Sequence, residues 1–515
     1  MKLNESYIEN LMTRINSAIS YPGSAVSTPE FAPGAAGVAG EYPSLSVNCA
    51  NDLAEDQPSI RQQLVEAKLG LNGGPGATGN ESSLAATFHE FWPLAKANWE
   101  EMKITPFAAE ELVLKCLRNR GTASGRDIAD HVAVPFGLLD SLLQELKTNR
   151  LVIHRGAAAL GDYLYQLSEA GIEVASRCER QCAYDGAAPV VLEDYIASVH
   201  AQSVYNHPPS AAEIADVFSD LVLSGEILEQ VGQAIHAGHG FFLYGDSGNG
   251  KTSLAERVTR AFGQSIWIPR SITIDGLIIR LFDPCNHVEV PPENKDGLYD
   301  KLKIDRRWVR IVRPTILVGG ELTMDRLEIR PTSAPGVLEA PLQMKSNCGT
   351  LVIDDFGRQR ISPDELLNRW IVPLDRRHDF LSLPNGKTIQ VPFDQLLIFS
   401  TNMQPHDLAD EAFLRRIPYK IRAVNPTESE FRELFKREAK RLGFRYCETS
   451  IDELVQTHYK DAGRSFRGCH ARDLLNQIKH YCEFKQLPLE MSPERFDTAV
   501  RNYFALVVAN SPSRG

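Results

Sequence analysis

The sequence predicts an α/β domain, followed by an all-helical unit and preceded by a small α+β domain. Three observations lead to this prediction. Strand and helix patterns alternate through residues 186–424, which is typical of an α/β domain. Residues 425–515 carry helical patterns almost throughout. Residues 81–185 carry three helical patterns followed by two short strands.

Composition places the chain among ordinary globular proteins. It has 515 residues, 43% of them hydrophobic and 23% charged, which is enough for two or three domains. The N-terminus lacks an apolar core segment and no apolar run is long enough to cross a bilayer, so we expect a cytoplasmic protein without membrane insertion. The net charge of −11 argues against a large basic face for nucleic acid. The nine cysteines are scattered, and we expect them to be reduced.

Residues 1–80 are expected to form a largely disordered tether. A short helical pattern at residues 5–19 is followed by a stretch rich in Pro, Gly, Ala and Ser. Such a composition cannot bury enough apolar surface to form a packed core. We therefore place the first folded domain at residues 81–185.

That first domain has the element order of a winged helix, three helices and then a two-stranded wing. The pattern predicts that the first helix buries Leu112 and Leu117 and ends at Gly121, while Pro135 opens the third helix. The segments Arg-Leu-Val-Ile-His-Arg and Asp-Tyr-Leu-Tyr-Gln-Leu then indicate the two strands of the wing. The arrangement predicts a compact domain that could contact DNA or protein.

The third helix does not favour DNA. It carries Asp140 and Glu145, against only Lys147 and Arg150 near its end. A helix that reads a DNA groove presents mainly Arg, Lys, Asn or Gln. Protein contact or a structural role is favoured, and nucleic acid remains an open alternative.

The most informative stretch is a glycine-rich loop between a short apolar strand, Phe-Phe-Leu-Tyr, and an amphipathic helix. It matches G-x-x-x-x-G-K-[ST], in which backbone N–H groups wrap phosphates at a helix N-terminus. Lys251 is expected to reach the β- and γ-phosphates of ATP, and Thr252 to bind Mg²⁺. The expected nucleotide-binding residues are Gly245, Asp246, Ser247, Gly248, Asn249, Gly250, Lys251, Thr252 and Ser253.

Two acidic residues follow a second apolar strand about a hundred residues later. Asp354 is expected to hold Mg²⁺, and Asp355 to orient and activate the attacking water. A third apolar strand ends in Ser400, Thr401 and Asn402. We expect Asn402 to share the attacking water with Asp355 and to respond to the γ-phosphate.

Three arginines complete the predicted site. Arg415 and Arg416 follow a short apolar helix, and one of them is expected to act on the nucleotide of a neighbouring subunit. Arg472 lies near the start of a helix in the C-terminal unit, where it could close over the γ-phosphate. Each arginine alone would more often be part of a surface ion pair, so their order after one phosphate loop carries the prediction.

Together these motifs resemble the AAA+ ATPases over about residues 190–510. The resemblance implies an α/β ATPase domain with a helical lid, hydrolysis of ATP with Mg²⁺, and a ring oligomer, commonly a hexamer. It implies that Asn402 is the first sensor, Arg472 the second sensor, and Arg415 or Arg416 the arginine finger. One departure is that most of the superfamily has Asp-Glu where this chain has Asp354-Asp355, which shortens the second acid by one methylene.

Two further segments resemble a particular AAA+ group. A hairpin that turns at Asn385-Gly386, directly before the first sensor, resembles the insert of MoxR-type and magnesium-chelatase-type ATPases. A second insertion is expected at about residues 284–340, with a hairpin of its own. Several stretches are also similar to bacterial chaperone-like ATPases associated with Flp pilus assembly, which implies remodelling of an unknown protein client. The expected client contacts are Trp308, Arg310 and the Val-Gly-Gly at residues 318–320.

The sequence leaves three functional hypotheses. The favoured one is a ring-forming motor that remodels a protein. The second is an ATPase linked to DNA, a loader or regulator that uses the winged helix. The third is a slow nucleotide switch, in which the shorter Asp355 permits binding but little turnover.

Overall fold

The computed structural model describes residues 91–291 and 304–508, which belong to one compact unit. The predicted tether at residues 1–80 and the short helix within it lie outside the described residues. Across the described ranges, every helix is too short or too polar to span a bilayer.

Five helices and three short strands make up the N-terminal part of the described chain. A Thr105 side-chain cap starts the second helix, and Gly121, with φ of 76°, ends it. The second and third strands form a hairpin, and the first strand pairs with the third. The sequence did not predict the first strand, because its three residues carry too little pattern. The helices and wing strands follow the predicted order, while the winged-helix identification stays a prediction. The elements are α1 (Trp99–Met102), α2 (Pro106–Arg120), β1 (Thr122–Ser124), α3 (Gly125–Val132), α4 (Phe136–Thr148), β2 (Val152–Ala157), β3 (Tyr163–Leu167) and α5 (Glu169–Gln181).

A five-stranded parallel sheet forms the centre of the α/β region. Its strands are β5 (Phe241–Tyr244), β10 (Thr315–Val318), β13 (Gly349–Ile353), β16 (Gln395–Thr401) and β17 (Tyr419–Arg422). Their order across the sheet is β10-β13-β16-β5-β17, and every neighbouring pair is parallel. All residues of β13 and β16 are buried, as expected for parallel strands covered on both faces.

Helices cover the two faces of this sheet. They are α7 (Ala211–Val217), α8 (Gly225–His236), α9 (Lys251–Val258), α10 (Leu342–Lys345), α11 (Pro363–Arg376) and α12 (Glu411–Leu414). The helix α6 (Leu192–Ala201) instead contributes Tyr195 and Val199 to a separate core. Trp370 of α11 is buried in the core on one face, and Val231 of α8 and Leu254 of α9 in the core on the other. Burying each large apolar side chain contributes about 1.5–3 kcal/mol of stability, and this burial holds the layers together.

A second sheet lies beside the central one and was not foreseen. Its strands are β4 (Val190–Val191), β7 (Ser271–Ile274), β8 (Leu277–Arg280), β11 (Arg330–Pro331) and β12 (Val337–Glu339), in the order β11-β12-β8-β7-β4. The pair β7–β8 is a hairpin that turns at Asp275-Gly276, both with positive φ. This Asp-Gly signal was present in the sequence but was overlooked.

A hairpin does form within residues 284–340, between β11 and β12, but the strands that alternation indicated at residues 305–330 do not pair with each other. The strand β9 (Trp308–Val312) pairs with β6 (Ser265–Pro269), and β10 pairs with β13 in the central sheet. Alternation correctly indicated strands, but it does not identify the partner of a strand. Much of this segment therefore belongs to the cores of the two sheets rather than to a separate insert.

The hairpin predicted to turn at Asn385-Gly386 is confirmed. It comprises β14 (His378–Ser382) and β15 (Thr388–Pro392), and Gly386 in its turn has φ of 82°. An ion pair of 2.6 Å between Lys387 and Asp275 joins its tip to the β7–β8 turn. The hairpin therefore packs along the second sheet.

The C-terminal region is helical, as predicted. A capping box at Thr427 starts its first helix, and Gly443, with φ of 81°, ends it. A separate core forms around Phe431, Phe435 and Leu474. The elements are α13 (Glu428–Leu442), α14 (Glu448–Glu453), a π-helical turn (Leu454–Lys460), α15 (Gly468–Lys485) and α16 (Pro493–Val508).

Candidate nucleotide-binding site

The predicted site residues follow three neighbouring strands of the central sheet. Gly245 follows β5, Asp354 follows β13 and Asn402 follows β16. Since the carboxyl ends of parallel strands meet at one edge, these positions come together although they are up to 157 residues apart. The topology places the loop, the acids and the polar strand end in one crevice.

The glycines of the loop are needed for its conformation. Gly245, Gly248 and Gly250 have φ of 135°, 90° and 75°, a region that L side chains rarely adopt. A Cβ on Gly245 would lie 2.5 Å from the carbonyl oxygen of Ala423. Gly250 forms the N-cap of α9, so the loop leads into the N-terminus of that helix. Such a loop presents successive N–H groups to an anion.

Lys251 is buried within the loop. Its ammonium donates to the carbonyl oxygens of Gly245 at 2.9 Å and Asp246 at 3.0 Å, and to Oδ1 of Asn402 at 2.7 Å. Burial lowers the pKa of Lys251, and the nearby Asp354 carboxylate opposes this shift. The sequence predicts that Lys251 contacts phosphates. Its ammonium group lies between the glycine-rich loop and Asn402, just after the end of β16.

Thr252 and Asp354, the two residues expected to bind Mg²⁺, lie in contact with each other. The hydroxyl of Thr252 donates to Oδ2 of Asp354 at 2.9 Å. Hydroxyl and carboxylate oxygens suit Mg²⁺, which keeps water and substrate phosphate oxygens as its other ligands. Across the described ranges, no cluster of three or more His, Cys, Asp or Glu could hold a metal without such additional ligands. The donor set therefore fits Mg²⁺ bound together with a nucleotide.

Asp355 lies at the exposed mouth of the crevice. Its φ of 48° is in the left-handed region, which Asp and Asn tolerate better than other side chains with a Cβ. Its Oδ1 lies 3.4 Å from Nδ2 of Asn402, so Asn402 contacts both Lys251 and Asp355. The strand end at Ser400 and Thr401 is buried and structural.

Sequence reasoning missed Gln359. Its Nε2 donates to the carbonyl oxygens of Asp354 at 2.8 Å and Asp355 at 3.2 Å, and its Oε1 accepts from the amide of Gly357. These three bonds hold the turn that carries the acids. A glutamine four or five residues beyond an acidic pair gives no distinctive sequence signal.

The C-terminal helical region contacts the loop through Arg467. Its Nη1 donates to the carbonyl oxygen of Ser247 at 3.0 Å, and the amide of Cys469 donates to that of Gly248 at 2.7 Å. Arg472, which was expected to close over the γ-phosphate, is 59% exposed, and its side chain pairs with Asp473 at 3.1 Å rather than with the loop. Arg467 precedes α15, whereas Arg472 lies one turn inside it, which was not evident from the sequence.

The two candidate finger arginines differ in their surroundings. The Arg415 side chain is 74% exposed and pairs only loosely with Glu411, on its own helix. Arg416 is 28% exposed, and both oxygens of Asp375 in α11 lie 2.9 Å from its Nε. Arg415 can therefore reach beyond the chain, while Arg416 fastens two elements together.

The expected client contacts are only partly at the surface. Trp308 is 7% exposed and packs against Phe91 at 5.5 Å, so it does not form the predicted contact. Arg310 donates to the hydroxyl of Ser265 at 2.9 Å across the β6–β9 ribbon. Residues 318–320 end β10 beside the acid-bearing turn, because the amide of Arg360 donates to the carbonyl oxygen of Gly320.

Comparisons with known proteins give limited matches. Residues 427–502 match a family described as a domain of unknown function (DUF8689), which falls in the C-terminal helical region. No curated protein matches the chain in sequence.

Several solved structures are similar to part of the chain. NtrX from Brucella abortus is 12% identical over 59% of this chain and 62% of its own, with a TM-score of 0.35. NtrX in complex with ATP is 11% identical over 55% and 60%, with a TM-score of 0.33. RuvB, the Holliday junction branch migration motor of Thermotoga maritima, is 12% identical over 54% and 69%, with a TM-score of 0.31. The matches span less than two thirds of NtrX, and the α/β fold described above rests on this chain's own strands and helices.

Proposed function

We propose that this chain is a Mg²⁺-dependent ATP hydrolase of the AAA+ class. The observation that carries the proposal is the convergence of Lys251, Thr252, Asp354, Asp355 and Asn402 at the carboxyl edge of one parallel sheet. Each of these residue types matches one requirement of phosphoryl transfer: phosphate charge, metal ligation, and orientation of a water. The glycine loop adds backbone donors for the phosphates.

The roles follow from the geometry. Lys251 neutralises phosphate charge once its bonds to the loop carbonyls are exchanged for phosphate oxygens. Thr252 and Asp354 would hold Mg²⁺, which would supply charge stabilisation to the phosphates of the nucleotide. Asp355 accepts a hydrogen bond from the attacking water, and Asn402 positions that water from the other side. Asn402 is suited to sense the phosphate because it contacts both Lys251 and Asp355.

A neighbouring subunit completes the site in this proposal. Arg415 is the arginine finger, because its side chain is exposed and free of strong pairing. The bonds of Arg416 to Asp375 favour Arg415 over Arg416 for that role. An arginine supplied in trans typically contributes about 10³ to 10⁵ in rate. The AAA+ resemblance supports a ring, commonly a hexamer.

The favoured biological role is remodelling of a protein client. Apolar side chains stand exposed on the β2–β3 wing, most of all Leu160 at 83%. Ile153, Tyr163 and Leu164 are exposed beside it. A DNA-contacting wing would present mainly cations to phosphates. Arg155 on β2 is exposed, but the exposed apolar side chains outnumber it and support a protein partner. The similarity to chaperone-like ATPases of Flp pilus assembly points the same way.

The test is ATPase activity per subunit at rising protein concentration, with Lys251→Ala as the blank. We expect activity per subunit to rise as subunits assemble, and Arg415→Ala to lower it at least about 10³-fold while ATP still binds. Arg416→Ala is the matched control, since it removes the same side chain type at the adjacent position. Mixing Arg415→Ala with Lys251→Ala subunits should restore part of the activity, because each supplies what the other lacks.

The opposite outcomes are equally specific. If activity per subunit does not depend on protein concentration, or if mixing the two variants restores no activity, the proposal that a neighbouring subunit supplies Arg415 is refuted. ATP binding without product in the wild type would favour the nucleotide switch. Duplex DNA binding with a steep salt dependence would favour the DNA-linked ATPase.

A further inference from the structure

The side chain of Asn249 joins three separate parts of the molecule. It occupies one of the four unspecified positions of the loop motif, so the motif expects its backbone to face the phosphates but assigns its side chain no role. Its Nδ2 donates to Oδ1 of Asn425 at 2.8 Å and lies 3.4 Å from the carbonyl oxygen of Ala423. Its Oδ1 accepts from the amide of Gly468 at 3.4 Å. One side chain thus contacts the segment after β17 and the start of α15.

The segment after β17 is the connection between the α/β region and the helical region. β17 ends at Arg422 and α13 begins at Glu428, so Ala423 and Asn425 lie in the short link between them. Asn425 also donates to Oδ2 of Asp246 at 3.3 Å, a second residue of the loop. The link is therefore tied to the loop at both Asp246 and Asn249.

A second connection enters the same loop from α15. The amides of Gly468 and Cys469 donate to Asn249 Oδ1 and to the carbonyl oxygen of Gly248, at 3.4 Å and 2.7 Å. Because these bonds end on residues between Gly245 and Lys251, any displacement of the loop backbone by phosphate must stretch or reorient them. Asn249 alone among these residues bonds to both the link and α15.

We infer that Asn249 is a positioning residue that couples occupancy of the phosphate loop to the placement of the helical region. This inference rests on the proposed ATPase function. When the loop closes on phosphate, Asn249 moves with it and shifts the link and the N-terminus of α15 together. The side chain need not contact the nucleotide, since the backbone of the loop does so.

The test compares ATP binding with the response of the helical region. Backbone amide exchange at residues 423–427 and 468–469 is measured with and without a non-hydrolysable ATP analogue and Mg²⁺. In the wild type we expect the analogue to change exchange at both places by about 5- to 150-fold, the range of ordinary coupling between sites. In Asn249→Ala we expect the analogue still to bind, its response to disappear at both places, and kcat to fall more than KM changes.

Two variants separate coupling from general damage. Asn249→Asp keeps the acceptor for Gly468 but loses the donor to the link, so it should keep the response at 468–469 and lose that at 423–427. Asn119→Ala removes an asparagine that bonds Asp185 in the N-terminal part, and it should leave every readout at the wild-type value.

Each contrary outcome overturns a different statement. A full response in Asn249→Ala refutes the coupling role. Loss of analogue binding in that variant also refutes it, because the side chain would then serve binding itself. Failure of the wild type to bind the analogue refutes the proposed function, and the inference falls with it.

Discussion

Replacing Gly248 by alanine should loosen the contact between the phosphate loop and α15. A Cβ at this position would lie 2.5 Å from Sγ of Cys469, well inside van der Waals contact. Gly250 offers a matched control, since it also has positive φ but a Cβ there would meet nothing within 4 Å. Both variants carry the backbone strain of a left-handed alanine, about 1–2 kcal/mol, but only Gly248→Ala adds the collision.

The size of the effect follows from how the collision is relieved. Cys469 must leave its rotamer, which costs roughly 0.5–1.5 kcal/mol and corresponds to about a 2- to 12-fold change in an equilibrium. It also gives up the contact between its Sγ and the Tyr503 hydroxyl at 3.6 Å. The backbone strain is present whether or not α15 is docked, so only the collision shifts the docking equilibrium.

The assay is exchange of the Cys469 amide, which donates to the Gly248 carbonyl at 2.7 Å, in the absence of nucleotide. We expect faster exchange in Gly248→Ala than in Gly250→Ala by the factor above, and recovery when Cys469→Ala is added. Equal exchange in the two glycine variants would refute the reasoning, as would a double variant no slower than Gly248→Ala alone.

Two further predictions concern single side chains. Asp355→Glu should bind ATP normally but hydrolyse it more slowly than the wild type, because glutamate at φ of 48° is strained by about 1–2 kcal/mol and its carboxylate is displaced from Asn402. Asp355→Asn gives the inactive reference, and faster single-turnover hydrolysis by Asp355→Glu would contradict the prediction. Burial lowers the pKa of His470 to about 4, with Arg467 adding to the shift. In the unfolded chain His470 has its ordinary pKa of 6.5, so it takes up a proton at a higher pH than in the folded protein. About 3 kcal/mol of the free energy of unfolding, present above pH 6.5, should therefore be lost as the pH falls towards about 4. Urea unfolding across this range should show the loss, while His470→Gln should reduce it, and an equal pH dependence in both proteins would refute the assignment.

The sequence by itself determined the parts of the site whose chemistry is local. A short apolar strand, a glycine-rich loop and an amphipathic helix follow one another within 18 residues, so Gly245, Lys251 and Thr252 could be assigned from the chain alone. The same holds for Asp354 and Asn402, since each directly follows a buried strand. The hairpin at Asn385-Gly386 was evident because its turn residues lie between its strands.

Only the tertiary structure decided which distant segments meet. Alternation indicated β9 and β10 but not their partners, since strand pairing depends on packing across the sheet rather than on neighbouring residues. The contact between Arg467 and Ser247 spans 220 residues and leaves no local pattern, whereas the position of Arg472 near a helix start and the family resemblance pointed to Arg472. Arg415 and Arg416 are chemically identical neighbours, and only the position of Asp375 on another helix distinguishes the exposed arginine from the paired one. Local patterns define elements and motifs, because their physical causes act within a few residues. The choice among equivalent side chains depends on what the fold packs against each of them.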